Sequence, residues 1–288
     1  MPQINTTIGL HTGLGDMVCL SWIAEGTRAT RDPVTFYATH SNHLILKILG
    51  QEVSDRLSDR WVAAGDSYLT ELKERGKRLR LDYLREFLGI EAPFKRPRVV
   101  LSPADIEWAH QSRRDLGGGE LVLLFPQALF PSRTWPAAYW VDLAWQLKEK
   151  NIATMVMLAY EDKRFTNTPR YAWGYALNQI AALMTVSNLV VGNDSGPAHL
   201  AGTIGVPTIV ALGPTRRECV FGHLPEVIGL SSDAPPGCAG CSFSAPYRAA
   251  CDQGCQMLYA LKPDAILQRV LEELAKTTRP QARVSTVK

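Results

Sequence analysis

An α/β protein made of two doubly wound units is the fold this sequence predicts, on three observations. Leu121–Phe125 (LVLLF), Ile152–Leu158 (IATMVML), Asn188–Val191 (NLVV) and Thr208–Leu212 (TIVAL) are short apolar runs, the pattern of strands buried on both faces in a parallel sheet. Helical patterns separate these runs, as βα alternation requires. Gly117-Gly118-Gly119 breaks the chain in two, and the alternation continues on both sides of the break.

In the first unit, Ile4–Leu10 reads as a strand that turns through His11–Gly15 into a helix beginning at Asp16 and carrying Val18, Leu20, Trp22 and Ile23. Val34–Ala38 is a second strand, Leu44–Leu49 a helix, and Trp61–Ala64 a short strand. Tyr68–Leu88 is a polar helix. Val99–Leu101 is a strand, and the segment after it is helical because Ser102 is a good N-cap with Pro103 in the first turn. In the second unit, helices over Ala137–Lys148, Leu177–Thr185 and Pro197–Ile204 interleave with the four apolar strands. Ala265–Ala275 is a closing helix, and the tail after Thr277 reads as disordered. The boundaries are 1–118 for the first unit, 119–262 for the second, and 263–288 for the closing helix and tail.

Composition excludes little beyond extremes. The chain has 288 residues, 46% hydrophobic and 20% charged, the balance of a packed globular protein. A net charge of +3 is too small to imply nucleic acid, and the Lys73–Arg80 and Lys95–Arg98 runs read first as solvated surface. No 18-residue apolar run is present, and MPQINTTIGLHTG lacks the segments of a secretory leader, so the cytoplasm is the expected compartment.

Two segments carry chemistry. Val190–Gly202 (VVGNDSGPAHLAG) is a strand that ends in an acid, a hydroxyl, a glycine and a proline at a helix start. Ligands of open α/β sheets sit outside the carboxyl ends of strands, and a helix N-terminus offers free N–H groups and a positive dipole end. Ser195, Gly196 and Pro197 therefore make a phosphate site. Asp194 would repel phosphate and suits sugar hydroxyls beside it, or it and Ser195 simply cap the helix. His199 reads as a donor-binding residue of the same site and equally as a packed, hydrogen-bonded core histidine. The second segment is Cys238-x2-Cys241-x9-Cys251-x3-Cys255, in a glycine-bearing insertion over 237–256. Four thiolates in two close pairs suit a structural Zn or Fe. Free thiols and disulfides stay open for the same spacing.

Asp194–Ala201 (DSGPAHLA) resembles the signature of glycosyltransferase family 9, the heptosyltransferases that build lipopolysaccharide inner core. Gly213-Pro-Thr215, Phe125–Pro136 (FPQALFPSRTWP) and Gly13-Leu-Gly15-Asp16 resemble further family segments in the same order, over residues 5–222. The resemblance implies a GT-B architecture, with two Rossmann-like units facing across a cleft. It implies an inverting transfer in which Asp16 is the catalytic base, with Gly13 and Gly15 shaping its loop. Arg133 stands where the family has a diphosphate-binding Lys, with Ser132 beside it. Gln127 and Ala128 replace the family's hydroxyl residues. Glu161 resembles an acid that binds ribose hydroxyls, though a solvated loop acid reads the same way. The implied donor is a nucleotide-diphosphate sugar, ADP-heptose first, with no cofactor needed for catalysis. The acceptor is a glycan, lipid-linked or protein hydroxyl, or a modified nucleobase. The short first unit departs from the family and points to an unusual acceptor. A place at the inner membrane surface and a homo-oligomer accord with the resemblance, and some relatives carry an iron-binding cysteine finger. Two other classes remain: a nucleotide-sugar epimerase or hydrolase, and a non-catalytic sugar-nucleotide sensor or assembly subunit.

Overall fold

The computed structural model describes residues 6–10, 13–30, 33–38, 40–54, 61–63, 78–233, 254–276 and 284–286. The first part of the chain forms β1 (Thr6–Leu10), α1 (Leu14–Thr27), β2 (Val34–Ala38), α2 (His40–Ile48), β3 (Val53–Ser54), β4 (Trp61–Ala63), α3 (Arg80–Phe87), β5 (Val99–Leu101) and α4 (Pro103–Asp115). The second part forms β6 (Leu121–Phe125), α5 (Ala137–Glu149), β7 (Ala153–Leu158), β8 (Tyr171–Trp173), α6 (Leu177–Val186), β9 (Leu189–Asn193), α7 (Gly196–Ile204), β10 (Thr208–Ala211), α8 (Arg217–Val220), β11 (Val227–Leu230), α9 (Gln256–Ala260), α10 (Pro263–Lys276) and β12 (Val284–Thr286). Short 3-10 turns lie at Pro131–Arg133 and Lys163–Phe165.

Two parallel sheets result. The first has the order β3-β2-β1-β4 and the second β11-β10-β9-β6-β7-β8. Renumbered within its own unit, the second sheet runs 6-5-4-1-2-3, the doubly wound order of a dinucleotide-binding fold. Its topological switch point lies between β6 and β9, so the carboxyl ends of Phe125 and Asn193 flank the crevice where such folds bind ligands. The strands around that point are buried throughout, which explains their unbroken apolar sequence.

Helix α1 is apolar on every side and buried from Met17 to Ala24, the signature of a helix covered on both faces. It packs against β2 on one side and against α7 on the other. One continuous apolar core therefore runs from Phe36 and Leu46 through Met17 and Ile23 to Ala198, Leu200 and Val190. A buried hydrogen bond from Trp22 Nε1 to Thr203 Oγ1 (3.0 Å) crosses the same seam. Arg96 adds two bonds to the carbonyls of Gly202 and Thr203 (3.1 and 3.3 Å) and a bidentate pair with Glu226 (2.7 and 2.8 Å). The guanidinium thus meets the negative end of α7, which Gly205 terminates in a left-handed turn (φ 97°).

Several expectations are corrected or narrowed. Part of the tail is ordered, because Val284–Thr286 pairs in parallel with Val99–Leu101. Two β-branched residues in that VST stretch favour a strand, and β5 offers it a free edge. The closing helix belongs with the second sheet, since Ile266, Val270 and Leu274 join the core formed by Trp135, Trp140 and Leu143. The helix expected over Tyr68–Leu88 is observed at Arg80–Phe87, and residues 68–77 lie outside the described ones. Strand β11 went unnoticed in the sequence because no long helix precedes it.

Candidate active site

The site forms where α1 and α7 begin side by side. A methyl group placed on Gly15 would sit 3.6 Å from Gly196 Cα, and one on Gly196 would fall 2.6 Å from Leu14 Cβ. Two helix N-termini therefore abut, with their unpaired N–H groups and positive dipole ends together. At Gly196 only glycine permits this approach. Asp16 lies in the first turn of α1, and its Oδ2 accepts from the Gly13 N–H (3.2 Å). Its other oxygen is paired with Arg80, the first residue of α3, whose side chain is 9% exposed against 30% for Asp16. Arg80 was not anticipated. The two residues are 64 apart in sequence, and no local pattern announces the pairing.

Asn193 closes the switch-point crevice. Its Nδ2 donates to the Pro126 carbonyl (2.7 Å) and its Oδ1 accepts from the Trp135 N–H (3.0 Å). That fixes the loop carrying Ser132 and Arg133 against the end of β9. Asp194 is 3% exposed, and both of its contacts fall on Oδ2: the Thr215 hydroxyl donates at 3.0 Å and the Arg133 guanidinium lies at 3.7 Å. Arg133 also rests over the Phe130 ring, 4.9 Å from its centroid. A buried carboxylate with an arginine and a hydroxyl satisfies its desolvated charge. It also orients the guanidinium. Asp194, Arg133 and Thr215 are thus brought together, while Ser132 is buried beside them, its carbonyl 2.7 Å from where a Gly213 methyl would lie.

Other expected residues stand apart. Glu161 is exposed on the loop after β7. Its neighbour Asp162 pairs with Arg164 (2.6 Å), which holds that carboxyl below the usual range. Gln127 bridges to the Ala159 N–H and the Tyr160 carbonyl (2.7 and 3.3 Å), fixing two loops together. A cavity of about 540 Å³ opens here between Pro126, Ala128, Trp135, Tyr160, Arg164 and Tyr259. His199 is 2% exposed and faces inward, with its ring 4.4 Å from Phe221 and Nδ1 3.9 Å from Cys19 Sγ. Burial pushes the nearby His223 down to about 2, so its imidazole is neutral. Cys238, Cys241 and Cys251 lie outside the described residues. Cys255 is buried against Gly213 and Leu258 in the second core.

A doubly wound sheet with a buried Asp–Arg–Thr cluster at its switch point, facing a second parallel sheet across two abutting helix starts, defines the class: a two-sheet α/β protein built to hold a ligand at the carboxyl edge of its strands. A family model described as glycosyltransferase family 9 (heptosyltransferase) matches residues 80–235, more than half of the chain. The chain belongs to that family of glycosyltransferases. It is 28% identical over 136 residues to lipopolysaccharide heptosyltransferase 1 of Pseudomonas aeruginosa, a match that covers 44% of this chain and 37% of that protein. Two solved structures share the fold. The family 9 glycosyltransferase of Veillonella parvula superposes with a TM-score of 0.75 at 14% identity, over 96% of this chain and 99% of that one. The dodecameric, iron-containing glycosyltransferase TibC of enterotoxigenic E. coli gives 0.68 at 14% identity, over 95% and 76%. TibC has also been solved in complex with ADP-D-β-D-heptose. No described helix is long and apolar enough to cross a membrane.

Proposed function

We propose that this chain transfers heptose from ADP-heptose to an acceptor hydroxyl with inversion, with Asp16 as the general base. The observation that carries this reading is the seam: Asp16 begins one helix at the point where Gly196 begins the other. The acceptor hydroxyl gives its proton to the Asp16 carboxylate as its oxygen attacks the anomeric carbon and the bond to the diphosphate breaks. Arg80 holds a counter-charge on Asp16 and keeps the carboxylate turned to the cleft. The departing diphosphate gains charge beside the start of α7, Ser195 to Pro197, and the Arg133 guanidinium, both of which are set before the reaction begins. Asp194 and Thr215 hold Arg133 in place. The cavity by Tyr160 suits the flat base of the nucleotide, with exposed Leu129 and Tyr160 at its rim. Glu161, exposed next to Tyr160 in the chain, is the candidate for the ribose hydroxyls.

The acceptor is the lipid A–inner core or a protein hydroxyl. The four cysteines form a donor set that suits Zn or Fe, and TibC carries iron. In this chain a metal held by Cys238, Cys241, Cys251 and Cys255 would tie down the insertion and would leave no position open for chemistry.

The test is transfer from ADP-heptose to heptose-free inner-core lipid A and to a panel of peptide hydroxyls, with wild type and Asp16→Asn. Transfer should fall by on the order of 10²- to 10⁴-fold in the variant, with donor affinity kept. Wild-type rates in Asp16→Asn would remove Asp16 as the base.

A further inference from the structure

Behind the Gly15–Gly196 seam, where a methyl on Gly15 would sit 3.1 Å from His199 Cδ2, lies a cluster of possible metal ligands. Cys19 on α1, His199 on α7 and His223 in the turn before β11 each present one donor atom, and these three atoms lie within 4.8 Å of one another. The Cys19 Sγ to His199 Nδ1 distance is 3.9 Å. Neither buried ring nitrogen of His223 has a hydrogen-bond partner among the described residues. Buried polar atoms left without partners are uncommon in native structures, and each points to a missing one. The cluster is walled by aromatic rings: Trp22 meets His223 edge-on at 5.0 Å, and Phe221 lies 4.4 Å from His199.

The geometry points to a three-coordinate site for a soft monovalent metal ion, Cu(I), held by Cys19 Sγ, His199 Nδ1 and a ring nitrogen of His223. Bonds of about 2.3 Å to sulfur and about 2.0–2.1 Å to nitrogen place donor atoms about 3.5–3.8 Å apart, so the sulfur and the first nitrogen are already near their bonded separation. The His223 ring needs to approach by about an ångström. Charge selects the ion. No carboxylate belongs to the cluster, and the neighbouring Arg80 and Arg96 are already paired with Asp16 and Glu226, so the ion's charge must be balanced by its own ligands. Cu(I) on one thiolate is neutral overall, and the thiol proton leaves to solvent as the bond to sulfur forms. Zn(II) on one thiolate would leave a net positive charge buried without a carboxylate and would lack a fourth ligand. Thiolate and imidazole together also match the softer ion. Because the ligands come from α1, α7 and the turn before β11, the ion would clip the first sheet's helix to the second sheet.

The test is crystallographic. Full-length protein is loaded anaerobically with Cu(I), and the copper anomalous difference map is read at Cys19. The expected result is a peak bonded to Cys19, His199 and His223 in wild type that is absent from Cys19→Ala, with any copper on residues 238–255 unchanged. Loading should also raise the wild-type thermal midpoint more than that of Cys19→Ala. No wild-type peak at these three residues overturns the proposal. So does a peak that survives in Cys19→Ala, or Zn(II) taken there in preference to Cu(I). If Cys19→Ala does not fold, Cys19→Ser replaces it, and the wild-type map decides alone.

Discussion

Asp194 lies between the end of a buried strand and a helix start, as its sequence neighbours predict. Its place after a buried strand and before Gly196 marks it as a ligand-site acid in the sequence. The structure adds that Arg133 and Thr215 both turn to its Oδ2. It therefore faces the Arg133 guanidinium at 3.7 Å and accepts from the Thr215 hydroxyl at 3.0 Å. Thr215→Val removes the shorter contact while keeping the shape, and should lower stability by about 1 kcal/mol. It should also weaken ADP-heptose binding several-fold. Thermal unfolding and calorimetric titration check the two effects, and unchanged donor affinity would separate Thr215 from the site. The motif residues Asp194, Ser195 and Gly196 were legible because chemistry and spacing coincide within one turn. Arg80, Asn193 and the pairing of Cys19 with His199 were not, because tertiary packing alone brings their partners to them across 64, 58 to 67 and 180 residues.

At the level of elements, the contact between α1 and α7 depends on bare backbone. A methyl on Gly196 would meet Leu14 Cβ, Cγ and Cδ2 at 2.6 to 2.8 Å. Gly196→Ala should therefore cost about 1–3 kcal/mol by overpacking and shift the two helix starts apart. Leu14→Ala in the same chain should recover part of that loss, because it removes the Cγ and Cδ2 contacts while the Cβ contact stays. Chemical denaturation of the two single variants and the double variant measures the coupling, and additive effects would contradict the contact. Strands β6, β7, β9 and β10 were legible because burial on both faces leaves an unbroken apolar run. Strand β12 was not, because its three residues gain order only from the β5 edge.

Across the whole molecule, the sequence divides at Gly117–Gly119 but the core does not. One apolar cluster joins both sheets through α1, and Trp22–Thr203 and Arg96–Glu226 cross the same seam. The chain should unfold in a single cooperative transition, with equal calorimetric and van't Hoff enthalpies. Two resolved transitions would show that the halves are independent. Strand–helix alternation made the doubly wound order foreseeable. It could not reveal how closely the halves are fused, since burial on both sides of α1 leaves no amphipathic stripe to show which neighbours it has.

The central claim is that the switch-point crevice and the two helix starts hold a nucleotide-diphosphate sugar. Calorimetric titration with ADP-heptose and with UDP-, GDP- and dTDP-sugars, on wild type and on Arg133→Ala, tests it most directly. Selective binding of the ADP-sugar, weakened at least about tenfold in Arg133→Ala as expected for losing a charge-assisted contact, is the predicted result. Binding of none of these donors, or equal affinity in the variant, would contradict it.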